Sequence, residues 1–199
     1  MSKAVLISIR PEWCEKIVSG EKTIEVRKTR PKMTTPFKCY IYCTEGQKRL
    51  VAILKDGDEN YGEIYHGKPV FIKTSVSSVC DGKRKMVIGE FICNNIYEID
   101  PDHAIEAVIS EESCVRPREI HEYLNGKTGY GWRISDLKIY DQPKELGEFS
   151  AFRKCNSCKK SGYESTACIW DENCIVPVTI ERPPQSWCYV EEVEHGIQL

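Results

Sequence analysis

The chain has 199 residues, a formal net charge of −2 and an apolar fraction of 41%. This length suffices for one domain with a sizeable core. The slightly negative charge argues against a globally basic nucleic-acid-binding protein, although it leaves room for a local basic groove. No apolar run approaches the roughly eighteen residues of a membrane-spanning helix. The run at residues 4–9 is too short for a signal peptide, so we expect no contact with a membrane.

The eleven cysteines are a high and odd number for this length. Six of them occur singly, mostly within apolar runs: Cys14, Cys39, Cys43, Cys80, Cys93 and Cys114. A reduced thiol packs as a small hydrophobic group, and a chain without a secretion signal is not expected to carry a disulfide framework. We therefore expect reduced cysteines and a cytoplasmic location.

The predicted elements are mainly strands. Strands are predicted at residues 4–9, 23–27, 38–43, 70–72, 85–99, 132–140, 175–180 and 187–190. Helices are predicted at residues 11–19, at 48–54, and in two pieces within 102–124, the second beginning at Pro117. Gly89 and the change of alternation near Leu137 indicate bulges. With no strand–helix–strand rhythm, this order favours a small mixed β-barrel of the α+β class.

The stretch at residues 20–27 (GEKTIEVR) combines a helix stop with a charged strand. Gly20 suits the end of a helix. In the strand that follows, alternate side chains point to opposite faces, so Ile24 and Val26 are predicted to face the core. Glu25 and Arg27 then share the polar face, with Lys22 at its mouth. This set suits the binding of a phosphate or a polar base, or the transfer of a proton. An exposed face of self-paired charges fits the same spacing.

Residues 20–27 match the Gly-x-Lys-x-x-Glu-x-Arg signature, by which the chain resembles the ASCH domain family. Residues 87–99 resemble the central strand of that family. Residues 129–149 and 182–192 are similar to a subgroup from low-GC Gram-positive bacteria and their phages. The resemblance implies a PUA-like β-barrel. We expect one such domain at residues 1–192, followed by a frayed tail at 193–199, as chain termini commonly fray. It also implies an RNA-related role, with nucleic acid bound in a groove lined by the motif.

One branch of these relatives, the acetylcytidine amidohydrolases, provides an enzymatic alternative. By resemblance, its catalytic lysine falls on Lys22 and its arginine on Arg27, but its catalytic threonine falls on Glu25. A glutamate cannot replace a hydroxyl nucleophile without a change of mechanism. RNA or nucleic-acid binding is therefore the leading hypothesis. The alternative is a hydrolase of a modified nucleoside or of RNA, with Lys22 as base or nucleophile and Glu25 as its partner.

Further binding residues are predicted directly after the motif and in later parts of the chain. Lys28, Arg30 and Lys32 follow the motif directly, and they suit either phosphate contacts or a solvated loop. Tyr130, Trp132 and Trp187 are candidate stacking platforms for bases. A tryptophan in a barrel strand is also a common core residue, so Trp132 fits both roles.

A cysteine-rich insertion is predicted at residues 153–175. It contains Cys155-x-x-Cys158, followed by Cys168 and Cys174. Four such thiolates could hold a structural zinc ion, whereas free thiols and a redox-active pair are the alternatives. The sequence calls for no other cofactor. A third functional hypothesis is a protein-interaction adaptor built on this insertion.

Overall fold

The computed structural model describes residues 2–44, 48–53, 69–73, 86–100, 102–154 and 175–193. The described strands are β1 (Lys3–Ile9), β2 (Ile24–Arg27), β3 (Phe37–Cys43), β4 (Lys48–Ile53), β5 (Pro69–Lys73), β6 (Val87–Cys93), β7 (Ile96–Ile99), β8 (Gly129–Arg133), β9 (Ser135–Lys144), β10 (Ser150–Lys154), β11 (Ile175–Thr179) and β12 (Trp187–Glu191). The described α-helices are α1 (Pro11–Val18), α2 (Ala107–Ser113) and α3 (Pro117–Leu124). The chain thus has a mixed α+β architecture that is dominated by strands.

The largest sheet has seven strands in the order β11-β10-β12-β1-β3-β6-β9. β1 and β3 are parallel, whereas the other neighbours are antiparallel. β11 and β9 form its two edges, and no pairing within the described ranges joins these edges into a closed barrel. β4 and β5 form a separate antiparallel pair.

The first strand is buried on both of its faces. Val5, Ile7 and Ile9 belong to one apolar cluster, whereas Ala4 and Leu6 belong to another on the opposite side of the sheet. Burial on both faces explains why this strand is a nearly continuous apolar run instead of an alternating one. The sheet therefore has a core on each side.

A smaller sheet carries the charged motif. It consists of β2, β8 and β7 in that order, and all pairs are antiparallel. Ile24 of β2 packs with residues of α2 and α3, including Ile109 and Ile120. These two short helices therefore cover one face of the small three-stranded sheet, as expected for helices with one apolar face.

Several predicted elements are confirmed. Six predicted strands are found with bounds that differ by one or two residues, namely β1, β2, β3, β5, β11 and β12. The two-piece helical region is found as α2 and α3, with Pro117 as the first residue of α3. The register of β6 shifts next to Gly89 and again opposite residues 135–138 of β9, so both predicted irregularities are present.

Three predictions need correction. Residues 48–54 were expected to be helical, but the structure has the strand β4 there. A short apolar run is compatible with either a helix or a strand, and here the pairing with β5 favours the strand. The predicted strand at 85–99 is two strands, because the chain leaves the large sheet after β6 and enters the small sheet as β7. The strand at 132–140 is likewise divided between β8 and β9.

No α-helix in the described ranges has the length and apolar character needed to cross a membrane. The described cysteines are free thiols: Cys14, Cys39, Cys43, Cys93, Cys114 and Cys188. Cys155, Cys158, Cys168 and Cys174 lie outside the described residues, as does most of the predicted insertion. The structural zinc ion stays a prediction.

Candidate functional site

The local sequence explains how the motif reaches its position. Gly20 follows α1 with a positive φ of 80°, a conformation that is readily adopted only by glycine. The chain then turns toward β2, and Thr23, the residue directly before this strand, donates its main-chain N–H to the Glu112 carbonyl at 2.8 Å. Ile24 is fully buried beneath the helices. The predicted alternation is therefore confirmed, with Glu25 on the face of β2 opposite Ile24.

Three charged side chains form a buried ionic triad. Lys22 Nζ lies 3.1 Å from Glu25 Oε2, and Arg27 Nη2 lies 3.0 Å from Glu25 Oε1. The side chains of Lys22, Glu25 and Arg27 are only 2%, 9% and 10% exposed. The charges thus pair with each other, as the plainest interpretation of the sequence expected, but they do so in the interior and not on an exposed face.

Main-chain acceptors hold both cations in place. Lys22 Nζ donates to the Ser113 carbonyl at 2.8 Å. Arg27 Nη2 donates to the Ser8 carbonyl at 2.6 Å, and its Nη1 donates to Ser186 Oγ at 3.3 Å. These contacts join β2 to α2, to β1 and to the loop before β12. The triad is consequently a rigid part of the fold, which is a requirement for a preorganised site.

Electrostatics keep the central carboxylate ionised. Burial alone would raise the pKa of Glu25, but the attraction and hydrogen bonds of Lys22 and Arg27 outweigh burial, and the net pKa is lowered. Two cations and one anion leave an excess positive charge at the site. Arg27 Nε is also buried and has no hydrogen-bond partner in the described part of the chain. The site therefore favours an anionic or acceptor-rich ligand.

The triad lies on the wall of a cleft with a volume of about 660 Å³. Trp13 of α1 and Tyr123 of α3 contribute aromatic walls, and Arg10, Pro183 and Pro184 also line it. The Trp13 ring centroid lies 5.0 Å from Lys22 Nζ. A cleft of this volume with a few convergent polar groups is typical of a small-ligand site.

The cations that follow the motif lie on an exposed loop. Lys28 Nζ is 4.8 Å from the centroid of the Tyr123 ring, and the Arg30 guanidinium is 5.6 Å from the centroid of Tyr130. Tyr130 is half-buried on β8, where it pairs with Arg27 across the sheet. Lys28, Arg30 and Tyr130 are therefore close to the triad but outside its cleft.

Trp132 takes the core role. Its side chain is fully buried and contacts Phe37 edge-on, with ring centroids 6.0 Å apart. It also packs against Trp187 at 5.8 Å. A buried ring cannot stack on a base from solvent, so of the two roles open to Trp132 the structure favours packing. Trp187 is half-buried and donates from Nε1 to Thr29 Oγ1 at 3.0 Å.

Sequence reasoning missed several residues of the cleft. Trp13 could have been found, since it lies on the helix directly before the motif. Tyr123 and Ser8 of the cleft come from distant parts of the chain, as do Ser113 and Ser186, which accept hydrogen bonds from the two cations, and nothing in the local pattern indicates that they meet. In the ranges that the structure describes, no cluster of three or more His, Cys, Asp or Glu side chains could hold a metal ion.

A family model of the ASCH domain matches residues 7–150 of the chain. The chain therefore belongs to the ASCH domain family, whose PUA-like fold is generally linked to RNA binding. The predicted family is confirmed. A search of curated proteins finds no match.

Solved structures agree on the fold. The crystal structure of ASCH from Zymomonas mobilis has a TM-score of 0.52 and 17% identity, and the match covers 95% of this chain and 88% of that chain. The structure of a serine-to-alanine variant of the same protein has a TM-score of 0.51 and 16% identity, and the match covers 95% of this chain and 89% of that chain. The structure of a tyrosine-to-phenylalanine variant has a TM-score of 0.51 and 17% identity, and the match covers 96% of this chain and 92% of that chain. At this identity, the likeness concerns the fold alone.

Proposed function

We propose that this ASCH domain binds RNA, or nucleic acid more generally, by admitting an unpaired base into the cleft formed around Lys22, Glu25 and Arg27. One observation carries the proposal: a buried carboxylate is held between two buried cations on the wall of a cleft of about 660 Å³. Single-stranded RNA is read by hydrogen bonds to base edges and by stacking on aromatic rings, and the cleft offers both.

Each wall of the cleft has a chemical role in this proposal. Glu25 remains a carboxylate and accepts a hydrogen bond from an N–H group on the base edge, with the exocyclic amines as candidate donors. Trp13 and Tyr123 provide apolar faces for the ring. Arg10 is exposed at the cleft and suits a phosphate oxygen of the same nucleotide.

A hydrolase of a modified nucleoside, as in the acetylcytidine amidohydrolases, or of RNA is the second candidate. It is favoured by the 3.1 Å separation of a buried amine and a buried carboxylate within a cleft. Two features weigh against it. Lys22 Nζ already donates to Ser113 and forms an ion pair with Glu25, and an ammonium group in such a pair must first lose a proton before it can act as a base or nucleophile. The lowered pKa of Glu25 makes this carboxylate a weak proton acceptor at neutral pH.

We also propose that residues 1–192 form one PUA-like domain, of the Gram-positive and phage subgroup, with a cysteine-rich insertion at residues 153–175. In support, Lys154 of β10 pairs with Ile175 of β11, so the intervening segment leaves and re-enters the sheet at neighbouring positions. We propose further that a structural zinc ion binds at Cys155, Cys158, Cys168 and Cys174. A third candidate function is that of a protein-interaction adaptor built on the insertion. Deletion of residues 153–175 without loss of partner binding would count against the adaptor.

The test is a paired assay of binding and turnover on the purified protein. Short single-stranded RNA is titrated by fluorescence anisotropy, and acetylcytidine and RNA are incubated with the protein and analysed by mass spectrometry. We expect salt-dependent RNA binding without product. Product formed by the wild type and lost in Lys22→Ala and Glu25→Gln would instead support the hydrolase.

Variants connect the binding to the cleft. We expect the Lys22→Ala/Arg27→Ala double variant to bind RNA more weakly and with a smaller salt slope, provided that circular dichroism shows it folded. Arg10→Ala removes an exposed cation at the cleft, so it separates binding from folding. Lys138→Ala is the control, since Lys138 is exposed on β9 and does not line the cleft. Binding that is unchanged in both cleft variants would overturn the proposal.

A further inference from the structure

A second cleft, about 1040 Å³ in volume, lies directly beyond the carboxyl end of β2. Most of its wall is the loop at residues 28–35, and Asn95, Ile96 and Tyr130 complete it. Among the described residues, no acidic side chain lines this cleft.

Positive charge is concentrated in the second cleft. Lys28, Arg30 and Lys32 all line it, and all three are exposed. Within the described part of the chain, none of them has a carboxylate at salt-bridge distance. In a protein with a formal net charge of −2, a row of uncompensated cations at alternate positions gives a local field that attracts a polyanion.

The loop that carries these cations is held against the sheet. Lys32 donates its main-chain N–H to the Tyr189 hydroxyl at 2.7 Å. Thr29 Oγ1 accepts the indole N–H of Trp187 at 3.0 Å. The Arg30 guanidinium lies over the ring of Tyr130, at 5.6 Å from its centroid. The cations are thus attached to a fixed backbone, and one of them is layered on an aromatic ring, as in grooves for single strands.

The second cleft meets the first at one pair of residues. Lys28 lines the second cleft, and its Nζ atom is 4.8 Å from the centroid of the Tyr123 ring. Tyr123 in turn lines the cleft of the ionic triad. Lys28 is therefore within reach of a phosphate that neighbours a base bound in the first cleft.

We propose that the ligand is a single-stranded oligonucleotide whose sugar–phosphate backbone runs through the second cleft, across Lys28, Arg30 and Lys32, while one base occupies the first. This inference rests on the proposed function, and it adds the class of ligand: a strand of several nucleotides instead of a free nucleoside or a duplex. In this arrangement, phosphate contacts in the second cleft supply most of the affinity, and base contacts in the first cleft supply selectivity. A paired base cannot enter the first cleft.

The experiment compares a nucleoside, its 5′-monophosphate, a single-stranded RNA hexamer and a hexamer duplex, each titrated against the full chain at several salt concentrations. The variant is Lys28→Ala/Arg30→Ala/Lys32→Ala. Its matched control is Lys3→Ala/Lys127→Ala/Lys138→Ala, which removes the same charge from exposed lysines that line neither cleft.

For the wild type, we expect the hexamer to bind at least about tenfold more tightly than the nucleoside and the duplex. Each phosphate contact contributes roughly 0.7 to the salt slope of single-strand binding. The cleft variant should therefore lower the slope for the hexamer by about 2 and weaken hexamer binding much more than nucleoside binding. The control variant should match the wild type in slope.

Two results would overturn the inference: a salt slope that is the same in the cleft variant and the wild type, or a duplex that binds as tightly as the single strand. Failure of the proposed function looks different. In that case, the wild type binds neither nucleoside nor hexamer, or Arg10→Ala and the double variant of Lys22 and Arg27 bind every ligand like the wild type.

Discussion

Lys22 donates a hydrogen bond from Nζ to the carbonyl oxygen of Ser113, at 2.8 Å and across 91 positions of sequence. Ser113 is the last residue of α2, where carbonyl groups lack partners within the helix and the helix dipole favours a cation. The same ammonium group lies 3.1 Å from Glu25. One buried lysine thus stabilises a helix end and completes the ionic triad, so the fold and the candidate site depend on the same contact.

Replacement of Lys22 by methionine should destabilise the protein substantially. The change leaves Glu25 buried with one cation fewer, and breaking a buried ion pair from one side typically costs about 3–5 kcal/mol. Urea denaturation measures the loss. The control is Lys16→Met, since Lys16 pairs with Glu21 at 3.8 Å on the surface and should change stability by less than about 0.5 kcal/mol. Equal effects of the two substitutions would show that the triad contributes little to stability.

The free energy of unfolding should decrease as the pH is lowered, within a pH window that is set by Glu25. Burial would raise the pKa of this carboxyl, but Lys22 and Arg27 lower it below its ordinary value of 4.5. Between the two pKa values the unfolded state binds more protons, so the stabilisation is fully present above about pH 4.5 and is lost as pH falls through the folded-state pKa. The comparison is the free energy of unfolding of wild type and Glu25→Gln. Their difference should shrink on acidification, and a difference that grows would contradict the assignment.

The face of each motif residue could be predicted from the sequence, whereas its burial could not. The alternation in β2 depends only on the two-residue period of a strand. That Glu25 is buried depends on α2, on the end of β1 and on the loop before β12, which come from distant parts of the chain. An exposed pair and a buried triad have the same local pattern, and only tertiary contacts separate them.

The sheet to which each strand belongs also could not be predicted from the sequence. Residues 85–99 form one long β-rich run, but the chain changes sheets between β6 and β7. A strand that leaves one sheet for another keeps its apolar alternation, so the period gives no sign of the switch. The bulge beside Gly89 was predictable, because a glycine within a strand marks a close approach of backbone.

Gly89→Ala should strongly destabilise the large sheet. A Cβ atom at this position would overlap the main-chain carbonyl oxygen of Lys138, and backbone atoms cannot move aside as a flexible side chain can. We expect a loss of about 2 kcal/mol or more. Gly147→Ala is the matched control, because its Cβ would meet only Thr179 Cγ2 at 3.9 Å. Thermal unfolding of both variants is the measurement, and a similar melting temperature for the two would contradict the close approach.

Two described thiols should resist alkylation in the folded protein. Burial raises the pKa of Cys39 well above its ordinary value and that of Cys93 to about 12, and only thiolates react readily. Iodoacetamide followed by peptide mass spectrometry should label the half-buried Cys114 much faster than either. All three should react alike in denaturant. Rapid native labelling of Cys39 would mean that the sheet around β3 opens easily.

Tyr123 should contribute to ligand affinity without supporting the fold. Its side chain lines the triad cleft and is 43% exposed, so Tyr123→Ala should leave the melting temperature nearly unchanged. Stacking of one base on an aromatic ring is worth about 1–3 kcal/mol, so the alanine variant should bind single-stranded RNA roughly tenfold more weakly. Tyr123→Phe keeps the ring and should retain most of the affinity. Anisotropy titrations of the three proteins measure this, and a phenylalanine variant as weak as the alanine variant would assign the effect to the hydroxyl group instead of stacking.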